Sequence, residues 1–124
     1  MRDEQTDDTL HMIVQIRTET LWGTEEESEL RIRIGELLDR VFEQVDSGYF
    51  DGGDSGSHSM NLFSYGIKPE DWDKVLELTL NRLRENNLLQ GNMVIVKSIP
   101  ICDTDDREDA VVWPPDFKGK FAIF

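Results

Sequence analysis

The chain has 124 residues, 38% of them hydrophobic, and its 26 acidic and 13 basic residues give a net charge of −13. This length and composition predict one domain with a single core. The charge makes nucleic acid a poor partner, because phosphate binding needs basic patches, and it would attract a basic protein; acidity also serves solubility alone. No apolar run approaches the roughly 18 residues of a membrane span. The polar start MRDEQTDD lacks the apolar core of a secretory signal.

The single cysteine, Cys102, excludes an intramolecular disulfide framework and a metal site made of several cysteines. A reducing compartment fits this count, and we expect the protein to be cytoplasmic. Residues 1–9 are acidic and are predicted to form a mobile tail. Residues 10–124 are predicted to form one α+β domain.

The first strand is predicted from Leu10 to Arg17, because apolar and polar residues alternate there. The first helix is predicted to begin at Thr24, since Thr24 and Glu27 have the spacing of a capping box. Apolar residues at helical spacing should form its buried stripe: Leu30, Ile34, Leu37, Leu38, Val41 and Val45.

The stretch SGYFDGGDSGSHSMNLFSYGI, residues 47–67, predicts the central hairpin of the domain. We expect a short strand from Tyr49 to Gly53, a turn over residues 54–58 and a returning strand from Ser59 to Tyr65. The sequence leaves two registers open for the returning strand. Either Met60, Leu62 and Ser64 or the alternating set Asn61, Phe63 and Tyr65 face the core.

A second helix is predicted from Pro69, and a last strong strand over residues 91–98. The order strand, helix, strand, strand, helix, strand predicts a ferredoxin-like βαββαβ fold, with an antiparallel sheet and both helices on one face. The other sheet face, with Ile13, Phe63 and Tyr65, needs a cover. The candidates are the C-terminal aromatic tail, which we favour, a second copy of the chain and a different partner.

An exposed acidic loop is predicted from Cys102 to Asp109. The following segment AVVWPPDFKGKFAIF is rich in apolar and aromatic residues for a C-terminus. We therefore expect this tail to pack back on the domain, using Trp113, Phe117, Phe121 and Phe124.

The pattern DGGD-x-G followed by MNLFSYG resembles a group of small bacterial proteins with a DG-x-[DE]-x-G hairpin and an apolar strand that ends in Tyr-Gly. The segment VVWPPDFKGKF is similar to their C-terminal W-P segment. The resemblance covers residues 48–124 and implies the same fold. Some similar acidic proteins look like immunity proteins, which bind and neutralise a cognate bacterial toxin.

No pattern in the sequence supports catalysis, a metal or a cofactor. The Gly-rich loop with Asp51 and Asp54 has no nearby Lys and would repel phosphate, so its Asp and Ser side chains are better explained as turn formers. The acidic run after Cys102 lacks the central Gly of a calcium loop. His11 and His58 belong to no metal-binding spacing.

We therefore predict a non-enzymatic acidic binding protein, with an immunity-type inhibitor of a basic toxin as the leading role. A monomer or a homodimer is compatible with it. The predicted partner-binding residues combine aromatic side chains with carboxylates: Tyr49, Phe50, Asp51, Asp54, Asp103, Asp105, Asp106, Glu108 and Asp109. The alternatives are a small-molecule-binding or enzymatic domain, with a pocket near His11, Asn61 and Tyr65, and an oligomeric structural protein.

Overall fold

The computed structural model describes residues 9–89, 91–101 and 106–117. Its elements are β1 (Leu10–Arg17), α1 (Glu25–Val45), β2 (Tyr49–Gly56), β3 (Ser59–Ile67), α2 (Trp72–Glu85), β4 (Met93–Pro100) and β5 (Arg107–Trp113), with a 3-10 turn at Pro69–Asp71 before α2. The strands form one antiparallel sheet in the order β2-β3-β1-β4-β5. This arrangement confirms the predicted α+β class. Within the described ranges, neither helix has the length and apolar character needed to cross a membrane.

The core lies between the two helices and one face of the sheet, which we call the helix face. On β1 the alternation places Met12, Val14 and Ile16 there, and all three are fully buried. Strand β3 adds Met60 and Leu62, so the first of the two registers left open by the sequence is the observed one. We call the opposite side of the sheet the second face.

Helix α1 begins as its sequence predicts. The Thr24 side chain accepts a hydrogen bond from the Glu27 backbone N–H at 3.1 Å, and the Glu27 carboxylate accepts one from the Thr24 N–H at 2.8 Å. This capping box satisfies two donors that a helix start leaves without partners. Four residues of the predicted stripe are buried: Ile34, Leu37, Leu38 and Val41. Phe42 is buried with them, although it was not predicted to be.

The predicted turn of the hairpin was too long. Strand β2 continues to Gly56, and only Ser57 and His58 form the turn, with φ angles of 52° and 65°. Positive φ at both positions matches the two-residue turn that best follows the twist of paired strands. The glycine-rich part lies inside β2, where the register with β3 shifts between Phe50 and Gly53.

Gly53 allows β2 and β3 to approach closely at this irregularity. A Cβ atom added to Gly53 would collide with the backbone carbonyl oxygen of Asn61 on β3. Because backbone atoms in a paired strand cannot move away cheaply, this position excludes any side chain. Gly53 of the DGGD stretch thus serves strand pairing rather than the turn.

The predicted acidic loop from Cys102 to Asp109 was wrong at its C-terminal end. Residues 107–109 begin β5, which pairs with β4 from Arg107 opposite Pro100 to Trp113 opposite Ile95. The strand was missed because Arg-Glu-Asp-Ala carries charges where strands usually carry β-branched or aromatic residues. Residues 102–105 lie outside the described residues.

The second face is shielded at its centre. Ile13 on β1 pairs with Val96 on β4, and their exposed fractions are 5% and 0%. The aromatic tail was predicted to cover this face, but Trp113 instead packs against the core cluster of the helix face. Phe117 is half-buried. The predicted contributions of Phe121 and Phe124 lie outside the described residues.

The contact between α1 and β2 yields a stability prediction. A Cβ atom added to Gly35 would lie 2.9 Å from Cε2 of Phe50, so Gly35→Ala forces the ring to move. We expect a loss of about 1 kcal/mol in the free energy of unfolding, because crowding outweighs the better helix propensity of Ala. Urea denaturation measures it.

A Phe50→Leu background provides the control, since it removes the ring atoms that the new methyl group meets. There, Gly35→Ala should stabilise the protein by up to about 1 kcal/mol. An equal loss of stability in both backgrounds would contradict the proposed crowding.

Candidate functional site

Three of the predicted partner-binding residues lie together on β2, an outermost strand of the sheet. Tyr49 is opposite Tyr65 of β3, and Asp54 is opposite Asn61. Tyr49 remains 54% exposed. Asp51 lies between these positions and is also exposed. The structure therefore places an aromatic ring and two carboxylates on one accessible strand, although Asp54 was predicted to lie in the turn.

Phe50 is separated from this group. Its ring packs against Gly35 of α1 and against the core cluster. Successive residues of a strand point to opposite faces, so Phe50 faces the helices while Tyr49 faces away from them. This position gives Phe50 a role in the fold.

The second predicted group lies at the opposite edge of the sheet, on and just before β5. Asp109 is opposite Ser98, and Glu108 is opposite Ile99, so the two carboxylates point to different faces. Asp106 is exposed just before β5. The predicted residues Asp103 and Asp105 lie outside the described residues. Four strand spacings of about 4.8 Å separate β2 from β5, or roughly 19 Å.

A concave surface with a volume of about 690 Å³ extends across the second face from Tyr49 on β2 to Asp109 on β5. We call it the aromatic concavity. The side chains that line it are His11, Ile13, Tyr49, Phe63 and Tyr65 toward β2, and Ser98, Arg107 and Asp109 toward β5. Its volume lies in the range of small-molecule pockets, about 300 to 1,000 Å³.

Tyr65 is the centre of the aromatic group in this concavity. The His11 ring lies 4.6 Å from it, between centroids, at an interplanar angle of 70°. The Tyr49 ring lies 6.0 Å away, also at 70°, and the Phe63 ring is stacked at 6.5 Å and 14°. Edge-to-face and offset-stacked pairs are the favourable arrangements of aromatic rings, so the group holds its shape.

A chain of side-chain hydrogen bonds fixes Asp54 beside these rings. The Gln15 amide donates to Oδ1 of Asn61 at 2.9 Å, and the Asn61 amide donates to Oδ1 of Asp54 at 3.1 Å. Asn61 is 1% exposed. Because both of its amide atoms have partners, this buried residue both satisfies its own polar groups and orients the Asp54 carboxylate.

The two carboxylates of β2 contribute to the pKa of Tyr65. Burial of the phenol, and after it the electrostatic effects of Asp51, Tyr49 and Asp54, raise the pKa of Tyr65 above its ordinary value of 10.0. The folded chain therefore holds this proton more tightly than the unfolded chain. The resulting stabilisation is fully present below the unfolded pKa and is lost as the pH rises through the folded pKa.

An absorbance titration tests this arrangement. In a Tyr49→Phe variant, Tyr65 is the only tyrosine of the chain, since the sequence has 2. We expect its pKa to exceed that of free tyrosine. Adding Asp51→Asn should lower the pKa, because the phenolate then forms without that negative charge beside it.

Asp39→Asn is the matched control, because it removes the same charge from an exposed position on α1. It should leave the titration of Tyr65 unchanged. If Asp51→Asn and Asp39→Asn shift the Tyr65 pKa equally, Asp51 does not lie beside the ring.

Arg107 joins the start of β1 to β5 at the other rim of the concavity. One guanidinium nitrogen donates to the carbonyl oxygens of Thr9 at 2.7 Å and of Ser98 at 3.1 Å. Its Nε donates to the Ser98 hydroxyl at 3.1 Å. A planar guanidinium with several donors is suited to this task, and the bonds orient Arg107 as part of the wall.

The sequence analysis missed a second exposed surface in the connector between β1 and α1, residues 18–23, which we call the tryptophan loop. Trp22 is 68% exposed and Leu21 is 47% exposed. The Trp22 ring lies against the backbone at Gly56, where an added Cβ atom would be 3.1 Å from it. Trp22 is the only tryptophan outside α2 and β5, and this position in a polar connector was the available signal.

Hydrogen bonds to the hairpin and to α1 hold the tryptophan loop in place. The Thr18 N–H donates to the His58 carbonyl at 2.9 Å, and the His58 N–H donates to the Leu21 carbonyl at 3.0 Å. The Glu19 N–H donates to the Glu27 carboxylate at 3.1 Å. Leu21 and Trp22 are thus displayed on an ordered backbone.

A groove of about 710 Å³ lies beside this loop at the start of α1. We call it the glutamate groove, since its lining contains Glu19, Glu25, Glu26, Glu27 and Glu29 together with Thr24 and Leu30. Glutamates in a first helical turn are also favoured by the helix dipole. The carboxylates alone therefore do not define a site, and the exposed Leu21 and Trp22 are the informative neighbours.

The described ranges contain no group of three or more His, Cys, Asp or Glu side chains that could hold a metal ion. The two histidines lie in different surroundings. The His11 ring contacts Tyr65, and His58 belongs to the hairpin turn. Comparison of the chain with protein-family models, with curated proteins and with solved structures gives no match. The candidate functional surfaces of the described residues are therefore the aromatic concavity and the tryptophan loop.

Proposed function

We propose that this chain is a non-enzymatic binding protein for a basic protein, with the immunity-type inhibition of a cognate toxin as its leading role. The observation that carries the proposal is the pair Leu21 and Trp22, 47% and 68% exposed on an ordered loop beside the glutamate groove. A large apolar side chain with an acidic surround is suited to a partner that has both an apolar pocket and basic residues.

Trp22 has the properties of a binding hot spot. Tryptophan is among the residues that contribute most to protein interfaces, and it does so when neighbouring groups exclude water from it. The hydrogen bonds of Thr18, Glu19 and Leu21 order the loop before any partner binds. Less conformational entropy is then lost on association, which favours affinity.

The charge supports a basic partner. A net charge of −13 on 124 residues produces a field that attracts cationic proteins and accelerates their association. Glu25 and Glu26, both exposed at the start of α1, concentrate this field beside Trp22. Opposite charges at the rim of an interface act mainly on the association rate and on selectivity.

The residues predicted from the sequence form a second proposed contact surface. Tyr49, Asp51 and Asp54 present an aromatic ring and two carboxylates on β2, and Asp109 lies across the aromatic concavity from them. Phe50 is left out of this surface, because its ring packs against Gly35. Asp106 and Glu108 remain proposed rim contacts.

We further propose that β1 to β4 and the two helices form a ferredoxin-like unit to which β5 is added. The order β2-β3-β1-β4 and the antiparallel pairing support it. Strand β3 lies between β1 and β2, which α1 connects, and β1 lies between β3 and β4, which α2 connects, as in a split βαβ unit. The cytoplasm is the proposed location, in keeping with the single cysteine of the chain.

The test compares immobilised wild-type protein with a Trp22→Ala variant as baits for lysates of the source cells. A basic protein should be retained by wild type at low salt, weakened at higher salt and depleted on Trp22→Ala. Once purified, that protein should bind Trp22→Ala at least about thirtyfold more weakly, in line with hot-spot losses of about 2 kcal/mol or more. Relief of its toxicity on co-expression tests the inhibitory role.

Ile32→Ser is the matched control, because Ile32 is a large apolar residue that is 57% exposed on α1 but lies outside the tryptophan loop. It should retain the partner as wild type does. The double substitution Glu25→Gln and Glu26→Gln should lower the association rate constant by a larger factor than it alters the dissociation rate constant. Equal capture by wild type, Trp22→Ala and Ile32→Ser would contradict the proposal.

A further inference from the structure

The aromatic concavity has a corner built from two tyrosine rings. Tyr49 and Tyr65 stand at 70° to each other with centroids 6.0 Å apart, and Phe63 extends the Tyr65 surface as a stacked neighbour. The face of an aromatic ring carries negative electrostatic potential. The ring faces that remain open to the concavity therefore present negative potential to it.

Carboxylates add negative charge to the same corner. Asp51 and Asp54 both act on the electrostatics of Tyr65. Asp54 is held in place by the Asn61 amide at 3.1 Å, so its charge stays at the rim of the concavity. Aromatic faces with adjacent carboxylates disfavour an anion and favour a cation with apolar surface.

Gly66 shapes the corner from below. It has a φ of 73°, which favours glycine, and a Cβ atom added to it would lie 3.3 Å from Cε1 of Tyr49. The absence of a side chain thus lets the Tyr49 ring lie over the β3 backbone. With 54% of its surface exposed, Tyr49 remains accessible from solvent.

We propose that this corner binds an organic cation, a guanidinium or alkylammonium group, against the open faces of the Tyr49 and Tyr65 rings. The chain already contains one contact of this kind at another place, where Nζ of Lys97 lies 5.3 Å from the centre of the Trp72 ring. Such contacts are favourable within about 6 Å of the ring centre. The site is separate from the tryptophan loop, but it shares Tyr49, Asp51 and Asp54 with the second contact surface of the proposed function, so it is tested without a protein partner.

Arg107 fits this assignment although it lines the same concavity. Its backbone belongs to β5, but its guanidinium reaches the start of β1, where it donates to Thr9 and Ser98. That position is about two strand spacings, or roughly 10 Å, from β2. These hydrogen bonds engage the guanidinium on the β1 and β5 side of the concavity, so the proposed cation lies on the β2 side.

The test is a titration of the isotope-labelled full chain followed by amide chemical shifts, with no protein partner present. The probes are Nα-acetylarginine amide, which carries the side-chain cation of a polypeptide, and choline, a free small-molecule cation. Nα-acetylcitrulline amide, which has nearly the shape of the arginine probe but no charge, is the control ligand. We expect saturable shifts around residues 49–54 and 63–66 with a cationic probe and none with citrulline.

The stronger of the two cationic probes identifies the source of the ligand, a polypeptide side chain or a free amine. Tyr49→Leu and Asp51→Asn should each weaken binding, Tyr49→Leu by about two- to fivefold, as expected for loss of a cation–π contact at an exposed ring. Ile32→Ala, at an exposed position outside the concavity, should bind as wild type does. Equal shifts with the citrulline probe, or no saturable shift with either cation, would overturn the assignment and leave the proposed partner untouched.

Discussion

Strand β1 is the element on which the rest of the structure depends, because it is paired on both edges and buried on both faces. Strand β3 lies along one edge and β4 along the other. Met12, Val14 and Ile16 are fully buried toward the helices, while Ile13 and Gln15 are 5% and 8% exposed on the second face. A shift of one residue would exchange these two sets. The single register of β1 therefore fixes both the core and the Gln15–Asn61–Asp54 hydrogen bonds.

The parts of the fold that follow from local patterns could be predicted from the sequence. The alternation in β1 gave its bounds, and the Thr24–Glu27 spacing gave the start of α1. The hairpin turn could not be placed correctly, because glycines that normally mark turns here allow the close approach of Gly53 to the Asn61 carbonyl. Strand β5 was missed for a different reason. Its first residues, Arg107 to Ala110, are charged or weak strand formers, so no strand pattern marks the place where β5 begins.

The candidate surfaces show the same division. The group Tyr49, Asp51 and Asp54 could be anticipated, since an aromatic residue and carboxylates follow one another in a hairpin. Whether Phe50 shared their face depended on strand alternation and on Gly35 of α1, which only the assembled structure defines. The only sequence signal of the tryptophan loop was the position of Trp22 in a polar connector, because its ordered exposure depends on hydrogen bonds between that connector and a distant turn.

The carboxylates of β2 and β5 have a consequence for how the molecule behaves in a crowded solution. These are the outermost strands of the described sheet, and such strands offer backbone groups to which another chain could add a strand. Asp51 and Asp54 on β2, and Glu108 and Asp109 on β5, place like charges along both borders, and the irregularity at Gly53 interrupts the regular spacing of β2. Edge-to-edge growth of the sheet by addition of further strands is thereby opposed on each side.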